Sequence, residues 1–294
     1  MLLFEKLSDQ NQMTELEKSI ANYFLNIGYD IEHRSSRSIA NELFVSPSTI
    51  SRFCQLVGYS GFNHFKESYL EDLSYLNSNF RGINPNKPFS YHDKNMTLVN
   101  KLSSLYQETI RDTVDLMHHD SLQKATQLLL TSQKIVIGSA GDALEMAETF
   151  KNRMVKIGQF VHVERRTDNL FYQASISTQD TCFILVSYSG EVDAIIRIAR
   201  VLKDKGIPFF VLTSYGSNQL AEISPLTLFI STREKLVDNL GTFSSLLSVS
   251  FLFDALYANI FSYNFNENYA KKITMTRDYE TKRRSENPLL KDID

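Results

Sequence analysis

Apolar positions organise residues 36–66, SRSIANELFVSPSTISRFCQLVGYSGFNHFK. Ile39, Ala40 and Leu43 fall on one face of a short helix. Ile50, Phe53, Cys54 and Val57 repeat at i, i+3, i+4 and i+7, which predicts a second helix buried along one stripe. Phe44 and Val45 turn the chain between them. Ser46 offers an N-cap hydroxyl, and Pro47 suits the first helical position, where no amide bond is lost. That turn often carries Gly, so Phe44 is strained if it needs positive φ. Gly58, Gly61 and Phe62 end the second helix and start another. Further helical spacing at Leu16, Ile20, Tyr23, Phe24 and Ile27, and at Phe62, Phe65, Tyr69, Leu70 and Leu73, predicts an all-α domain of about four or five helices over residues 1–77.

Residues 78–94, SNFRGINPNKPFSYHDK, lose the apolar period and carry Gly82, Pro85 and Pro88, as an interdomain linker would. A helical approach over 95–130 follows, and then the rhythm changes. Short apolar runs KIVIG (134–138), FVHV (160–163), CFILVS (182–187), PFFVLT (208–213) and LTLFI (226–230) alternate with helical segments at about 142–157, 191–205 and 217–223. Continuous apolar strands joined by helices predict a five-stranded parallel, doubly wound sheet flanked by helices, within an α/β domain over 95–294. The run from Leu246 to Tyr263, interrupted by Asp254, predicts a buried or dimer-forming helix rather than a membrane span.

Composition narrows the function classes. A hydrophobic share of 43% with 14 Tyr and 20 Phe supports two packed cores, and 22% charged residues leave little room for long disordered tracts. The two cysteines, Cys54 and Cys182, both lie in apolar patterns, as buried thiols in a reducing compartment do. A soluble, cytoplasmic protein without membrane contact or bound cofactor is expected. The first 77 residues hold six Lys/Arg against ten Asp/Glu, which is awkward for a DNA binder. Between 33 and 66, however, Arg34, Arg37, Arg52 and Lys66 face only Glu42, with His33 and His64 alongside. A local basic face on an acidic domain fits duplex DNA with weak non-specific affinity. On the predicted second helix, Ser48, Thr49, Ser51, Arg52 and Gln55 face outward and Ser46 caps. These are the side-chain types that meet phosphates and base edges in a major groove.

Ligands of doubly wound sheets bind past the carboxyl ends of the strands, where loops meet helix N-termini. Three small-polar loops qualify: Gly138-Ser139-Ala140-Gly141-Asp142, Ser187-Tyr188-Ser189-Gly190-Glu191 and Thr213-Ser214-Tyr215-Gly216-Ser217. Such residues are also ordinary turn and cap chemistry, so three loops at one edge weigh more than any one. His118-His119-Asp120 marks a helix terminus rather than a metal site, because adjacent helical side chains diverge. Glu234, Asp238 and Asp254 could serve either a ligand or a second subunit, and spacing does not decide between these roles.

The pattern IAxxxxVSxSTISRFCxxxGYSGFxxFK, followed by LVSYSGE and VLTS, resembles the RpiR/MurR family of bacterial transcription regulators. The resemblance spans nearly the whole chain and is most specific from Ser46 to Lys66. It implies an N-terminal helix-turn-helix joined to a C-terminal sugar-isomerase (SIS) domain that senses phosphosugars. It further implies strand order 2-1-3-4-5, a homodimer or homotetramer, operator DNA as partner, and no catalysis. On this pattern the ligand residues are Ser139, Asp142, Ser187, Ser189, Gly190, Glu191 and Thr213.

Two positions depart from the family's loops. Asp142 stands where a phosphate-binding Ser is expected, and Val192 replaces a Thr. A carboxylate about 4 Å from a phosphate opposes it by about 4 kcal/mol per charge pair at an effective dielectric near 20. A lost charged hydrogen bond at Val192 costs about 1.5–3 kcal/mol more. Phosphosugar binding is therefore expected to be weakened or lost, unless Arg165 or Arg166 neutralises Asp142. Asp142, with Glu145 three residues on, also reads as a helix cap. Two alternatives stand beside the phosphosugar-sensing regulator: a SIS domain acting only as a dimerisation scaffold, and a phosphosugar isomerase.

Overall fold

The computed structural model describes residues 3–8, 10, 13–79, 82–139, 141–279 and 289. The N-terminal unit comprises α1 (Leu3–Ser8), α2 (Glu15–Ile27), a 3-10 segment (Gly28–His33), α3 (Ser36–Glu42), α4 (Pro47–Leu56) and α5 (Phe62–Asn79). Thr14 caps α2 in a capping box with Glu17, and Ser35 caps α3 with Ser38, so each box satisfies amides that a helix start leaves unpaired. The predicted stripes meet in one core in which Ile20, Phe24, Ile39, Ala40, Ile50, Phe53, Cys54, Phe65 and Tyr69 are buried. Phe24 packs on Phe65 with ring centroids 4.6 Å apart, and the Tyr69 hydroxyl donates to the Phe24 carbonyl at 2.6 Å. Burial pushes the Cys54 thiol up to about 12, as expected of an inert packed cysteine.

The helix-turn-helix forms where the pattern placed it. Leu43 ends α3, the Val45 amide donates to the Ala40 carbonyl at 2.9 Å, and Phe44 takes φ 55°. Phe44 is the non-glycine residue with positive φ among those described. A left-handed side chain there costs about 1–2 kcal/mol relative to glycine.

The second unit begins with α6 (Asn95–Asp115) and α7 (His119–Thr131), with His118 at the N-cap of α7, the helix terminus expected of the histidine pair. It continues as β1 (Lys134–Ser139), α8 (Ala143–Val155), β2 (Val161–Glu164), α9 (Thr167–Ile176), β3 (Thr181–Ser187), α10 (Asp193–Asp204), β4 (Phe209–Ser214), α11 (Gln219–Ile223), β5 (Thr227–Ile230), α12 (Phe243–Tyr263) and α13 (Phe265–Tyr279). The five strands form one parallel sheet in the order β2-β1-β3-β4-β5, as expected. Alternate side chains feed two cores. Ile135, Ile137, Cys182, Ile184, Phe210 and Leu212 pack toward α8 and α12, whereas Val136, Phe183, Leu185 and Val211 pack toward α9 and α10. At Gly138 a Cβ would lie 2.0 Å from Leu170 Cδ2, so only glycine lets α9 seat this closely on β1.

α12 is a core helix: Val249, Leu252, Phe253, Leu256 and Ile260 are buried, and Phe253 stacks on Phe150 of α8 at 5.1 Å. Asp254, the charge interrupting its apolar run, pairs with Arg153. The pattern missed α1, the 3-10 segment, α9 and α13. Of the expected linker 78–94, Ser78 and Asn79 still belong to α5, residues 80–81 lie outside the described residues, and residues 82–94 hold no helix or strand, yet they do not run free. Asn86 bonds the loop after β5 in three ways. Its side chain accepts from the Lys235 amide at 2.6 Å and donates to the Arg233 carbonyl at 3.5 Å, and its carbonyl accepts from the Leu240 amide at 2.9 Å. Arg233, buried, donates to the Ile83 carbonyl at 3.2 Å and pairs with Glu108 of α6 at 2.9 Å.

Candidate nucleic-acid interface and ligand edge

α4 presents the predicted polar face. The Ser46 hydroxyl accepts from the Thr49 amide at 3.2 Å and lies 2.7 Å from the Ser48 hydroxyl and 2.9 Å from that of Thr49. Pro47 opens the helix. The helix start therefore carries a hydroxyl cluster, with amides and a positive dipole end behind it, a surface suited to phosphate oxygens. Ser46, Ser48, Arg52 and Gln55 are exposed, and Thr49 and Ser51 are half-buried; the Ser51 hydroxyl donates back to the Pro47 carbonyl at 3.3 Å.

The four cations of this stretch divide into two kinds. Arg34 is held by Glu42, which also accepts from the Tyr23 hydroxyl, and Lys66 caps the carbonyls of Glu32 and Arg34. Arg37 at the start of α3 and Arg52 on α4 are exposed, and neither has an ion pair or hydrogen bond among the described residues. Sequence reasoning counted Arg37 in the basic patch without singling it out. Its availability follows from Glu42 being taken by Arg34, which spacing does not reveal.

At the carboxyl edge of the sheet, strand register places Ser139 beside Val186 and Ser187 beside Thr213. Ser139 and Ser187 are buried, and their hydroxyls have no hydrogen-bond partner among the described residues. Buried hydroxyls left without a bond are costly, so two at the ends of neighbouring strands mark an edge open to a polar ligand. Thr213 is engaged more weakly, by the Asn218 side chain at 3.4 Å. Asn218 caps α11, accepting from the Ala221 amide at 2.9 Å and donating to the Ser214 carbonyl at 3.1 Å. Gly190 sits against it with φ 68°, and a Cβ there would lie 2.0 Å from Asn218 Oδ1. Ser189 accepts from the Glu191 amide at 3.2 Å. Both carboxylate oxygens of Glu191 hold α11, accepting from the Gln219 amide at 2.9 Å and its side chain at 2.7 Å.

The two departures lie at helix starts. Asp142 occupies the N-cap of α8 in helical backbone conformation and makes no side-chain capping bond, contrary to the expected cap; its carboxylate is exposed. Ala140, in the same loop, lies outside the described residues. Val192 is the N-cap of α10 and offers no side-chain acceptor. The neutralisation of Asp142 by Arg165 or Arg166, left open by the sequence, is not what the geometry shows. Arg165 pairs with Glu145 at 2.9 Å and Glu148 at 3.6 Å, one helical turn apart on α8. Arg166 pairs with Asp168 at 2.5 Å and holds that carboxyl down at about 2.

A strap, residues 231–242, crosses this edge. The Tyr188 hydroxyl, in the middle of the loop after β3, donates to the Glu234 carbonyl at 2.7 Å and accepts from the Glu234 amide at 3.1 Å. The Thr232 hydroxyl accepts from the Tyr215 amide at 2.6 Å. The buried Glu234 carboxylate caps α12, accepting from the Ser244 amide at 2.7 Å and from the Ser245 amide and hydroxyl at 3.0 and 2.6 Å. Asp238 pairs with Lys87 at 2.7 Å on the surface. The strap thus touches the loop after β3 on one side and residues 83–87 on the other.

Comparison with known proteins matches residues 1–75 to the helix-turn-helix domain, rpiR family, and residues 128–259 to the SIS domain. An HTH-type transcriptional regulator of Clostridium perfringens (strain 13 / Type A) is 24% identical over 278 residues, covering 94% of this chain and 98% of that one. YbbH of Bacillus subtilis (strain 168), also named an HTH-type transcriptional regulator, is 23% identical over 256 residues, 85% of this chain and 87% of its own. Among solved structures, the Vibrio vulnificus NanR protein complexed with ManNAc-6P aligns over 96% of this chain and 100% of that chain. Its TM-score is 0.61 at 19% identity. The sugar isomerase domain of an RpiR transcription factor from Sphaerobacter thermophilus aligns over 61% of this chain and 98% of that one, with TM-score 0.54 at 17% identity. At these identities the structural matches establish the fold.

Proposed function

The chain belongs to the RpiR family of helix-turn-helix regulators carrying a SIS domain, and from that premise we propose that it regulates transcription by binding operator DNA through α4. The observation that carries this reading is the start of α4: a Ser46-capped helix with exposed Ser48, Arg52 and Gln55, and with Arg37 and Arg52 free of internal partners among the described residues. Ser46 and Ser51 hold the backbone, Thr49 lies beside them, and Arg52 reaches a phosphate or base edge.

A duplex selected by the natural protein from a random library gives the probe. Arg52→Ala should weaken binding to it and lower the salt slope by about one. The circular dichroism spectrum should stay unchanged, because Arg52 supports nothing in the fold. Unaltered affinity in that variant would sink the assignment.

The protein acts in the cytoplasm as a homodimer or homotetramer on paired half-sites. Exposed Met96, Val99, Tyr106 and Ile110 at helical spacing on α6 support self-association, which light scattering of the purified protein checks.

Its SIS edge takes a small carbohydrate-derived ligand through Ser139, Ser187, Ser189, Gly190 and Thr213, and the buried partnerless hydroxyls of Ser139 and Ser187 support this. The ManNAc-6P held by NanR, a structural neighbour over nearly the whole chain, indicates a phosphosugar as the chemical class. A second reading, a ligand-blind scaffold, is favoured by Asp142 and Val192, which stand where the family's loops place hydroxyls that donate to a phosphate. An isomerase needs a general base over the sugar, and the Glu191 and Glu234 carboxylates are both engaged as helix caps. Target genes in carbohydrate metabolism fit a ligand of this class.

A further inference from the structure

Phe44 combines two unfavourable features that nothing among the described residues offsets. Its backbone is left-handed at φ 55°, where glycine would sit without strain, and its ring is 96% exposed. Its neighbours explain the turn without it. Leu43 and Val45 pack on the core of the N-terminal unit, and the turn is closed by backbone bonds from the Phe44 amide to Asn41 at 3.3 Å and from the Val45 amide to Ala40 at 2.9 Å. The side chain contributes nothing to the fold, so its benefit lies outside the chain. Its position names the partner, for it stands two residues before the Ser46 cap, beside the hydroxyl cluster that opens α4, on the turn joining the helices that bear Arg37 and Arg52.

We propose that the Phe44 ring is a DNA-contact residue, lying against the apolar surface of the duplex at the flank of the groove that α4 enters. The sugar–phosphate strand and base edges offer such surface in deoxyribose carbons and thymine methyls. The ring excludes water from the phosphate contacts of Ser46 and Ser48 and adds affinity without charge. This rests on the DNA-binding reading above.

The test uses full-length protein and the duplex selected by the natural chain. Phe44→Gly removes ring and strain together; Phe44→Asn, also tolerant of left-handed backbone, removes the ring; Phe44→Tyr keeps it. The glycine and asparagine variants should bind about tenfold more weakly, with the slope of log affinity against log salt unchanged because no ionic contact is lost. The glycine variant should melt no lower than the natural protein, and the tyrosine variant should bind within about twofold of it. Natural affinity in Phe44→Gly would overturn the proposal. A changed salt slope would also overturn it, because the loss would then come from displaced phosphate contacts. If the natural protein itself selected no duplex, the DNA-binding reading would fail instead, a distinct result.

Discussion

Asp142 offers the sharpest test of whether the SIS edge still senses phosphate. Its carboxylate is exposed and makes no capping bond, and Arg165 and Arg166 are paired with other carboxylates. A sugar phosphate cradled at the start of α8 would bring up to two negative charges within about 4 Å of it. Each charge pair opposes binding by about 1 kcal/mol in bulk water and about 4 kcal/mol at an effective dielectric of 20. Because the carboxylate is open to solvent, the water end of that range governs, and a total of roughly 1.5–3 kcal/mol is expected. Asp142→Ser should therefore bind phosphosugars roughly 10- to 150-fold more tightly than the natural protein, with the gap narrowing in high salt. Thermal shift with ManNAc-6P, related sugar phosphates and their unphosphorylated sugars reads this directly. A ligand at 100 times its dissociation constant adds about 2.7 kcal/mol of stability. Asp142→Asn separates charge from shape. The reasoning fails if the natural protein binds a phosphosugar as tightly as either variant does.

Two further outcomes follow from packing and titration. Gly190→Ala places a left-handed Cβ on Asn218, whose displacement frees the α11 cap, so unfolding in urea should show a loss of about 2–4 kcal/mol; a loss under about 0.5 kcal/mol would refute the close fit. Asp72 is buried and accepts from the Leu3 amide at 2.6 Å, and burial raises its carboxyl to about 6. Since this folded value lies above the unfolded one, its favourable contribution is complete below about pH 4 and declines as pH rises through 6. Asp72→Asn should therefore gain stability over the natural protein across pH 4–6, by roughly 3 kcal/mol at most, and a flat difference in pH-dependent denaturation would exclude it.

The strands that carry the sheet were legible because CFILVS and PFFVLT are apolar on both faces, which only a covered parallel strand explains. The helix-turn-helix was legible because stripe, cap and proline agree over about twenty residues. α9 was not, because Phe171, Tyr172 and Ile176 lie exposed and spoil the one-sided apolar pattern that marks a helix. α13 was obscured in the same way by exposed Phe265, Tyr269 and Met275. At the carboxyl edge of the sheet, sequence located the three loops but left open which carboxylates Arg165 and Arg166 would meet. Arg165 prefers Glu145 and Glu148, an arrangement set by how α8 lies against β2. Glu234 resisted assignment because the cap it supplies to α12 comes from ten residues upstream, beyond any local capping rule.

The junction of Asn86 and Ile83 with the strap behaves mechanically as a clutch. Among the described residues, whatever share of a ligand's effect passes from the Tyr188 loop through the strap into residues 83–87 is transmitted by four hydrogen bonds and the exposed Lys87–Asp238 ion pair. At about 0.5–1.5 kcal/mol each, the hydrogen bonds hold against roughly 2–6 kcal/mol before they part. Above that load the junction parts, and on the ligand-sensing reading proposed above the helix-turn-helix receives nothing more along this route. On the same reading, the gain along this route is then capped by the grip of Asn86, Arg233 and one surface ion pair, however tightly the ligand binds.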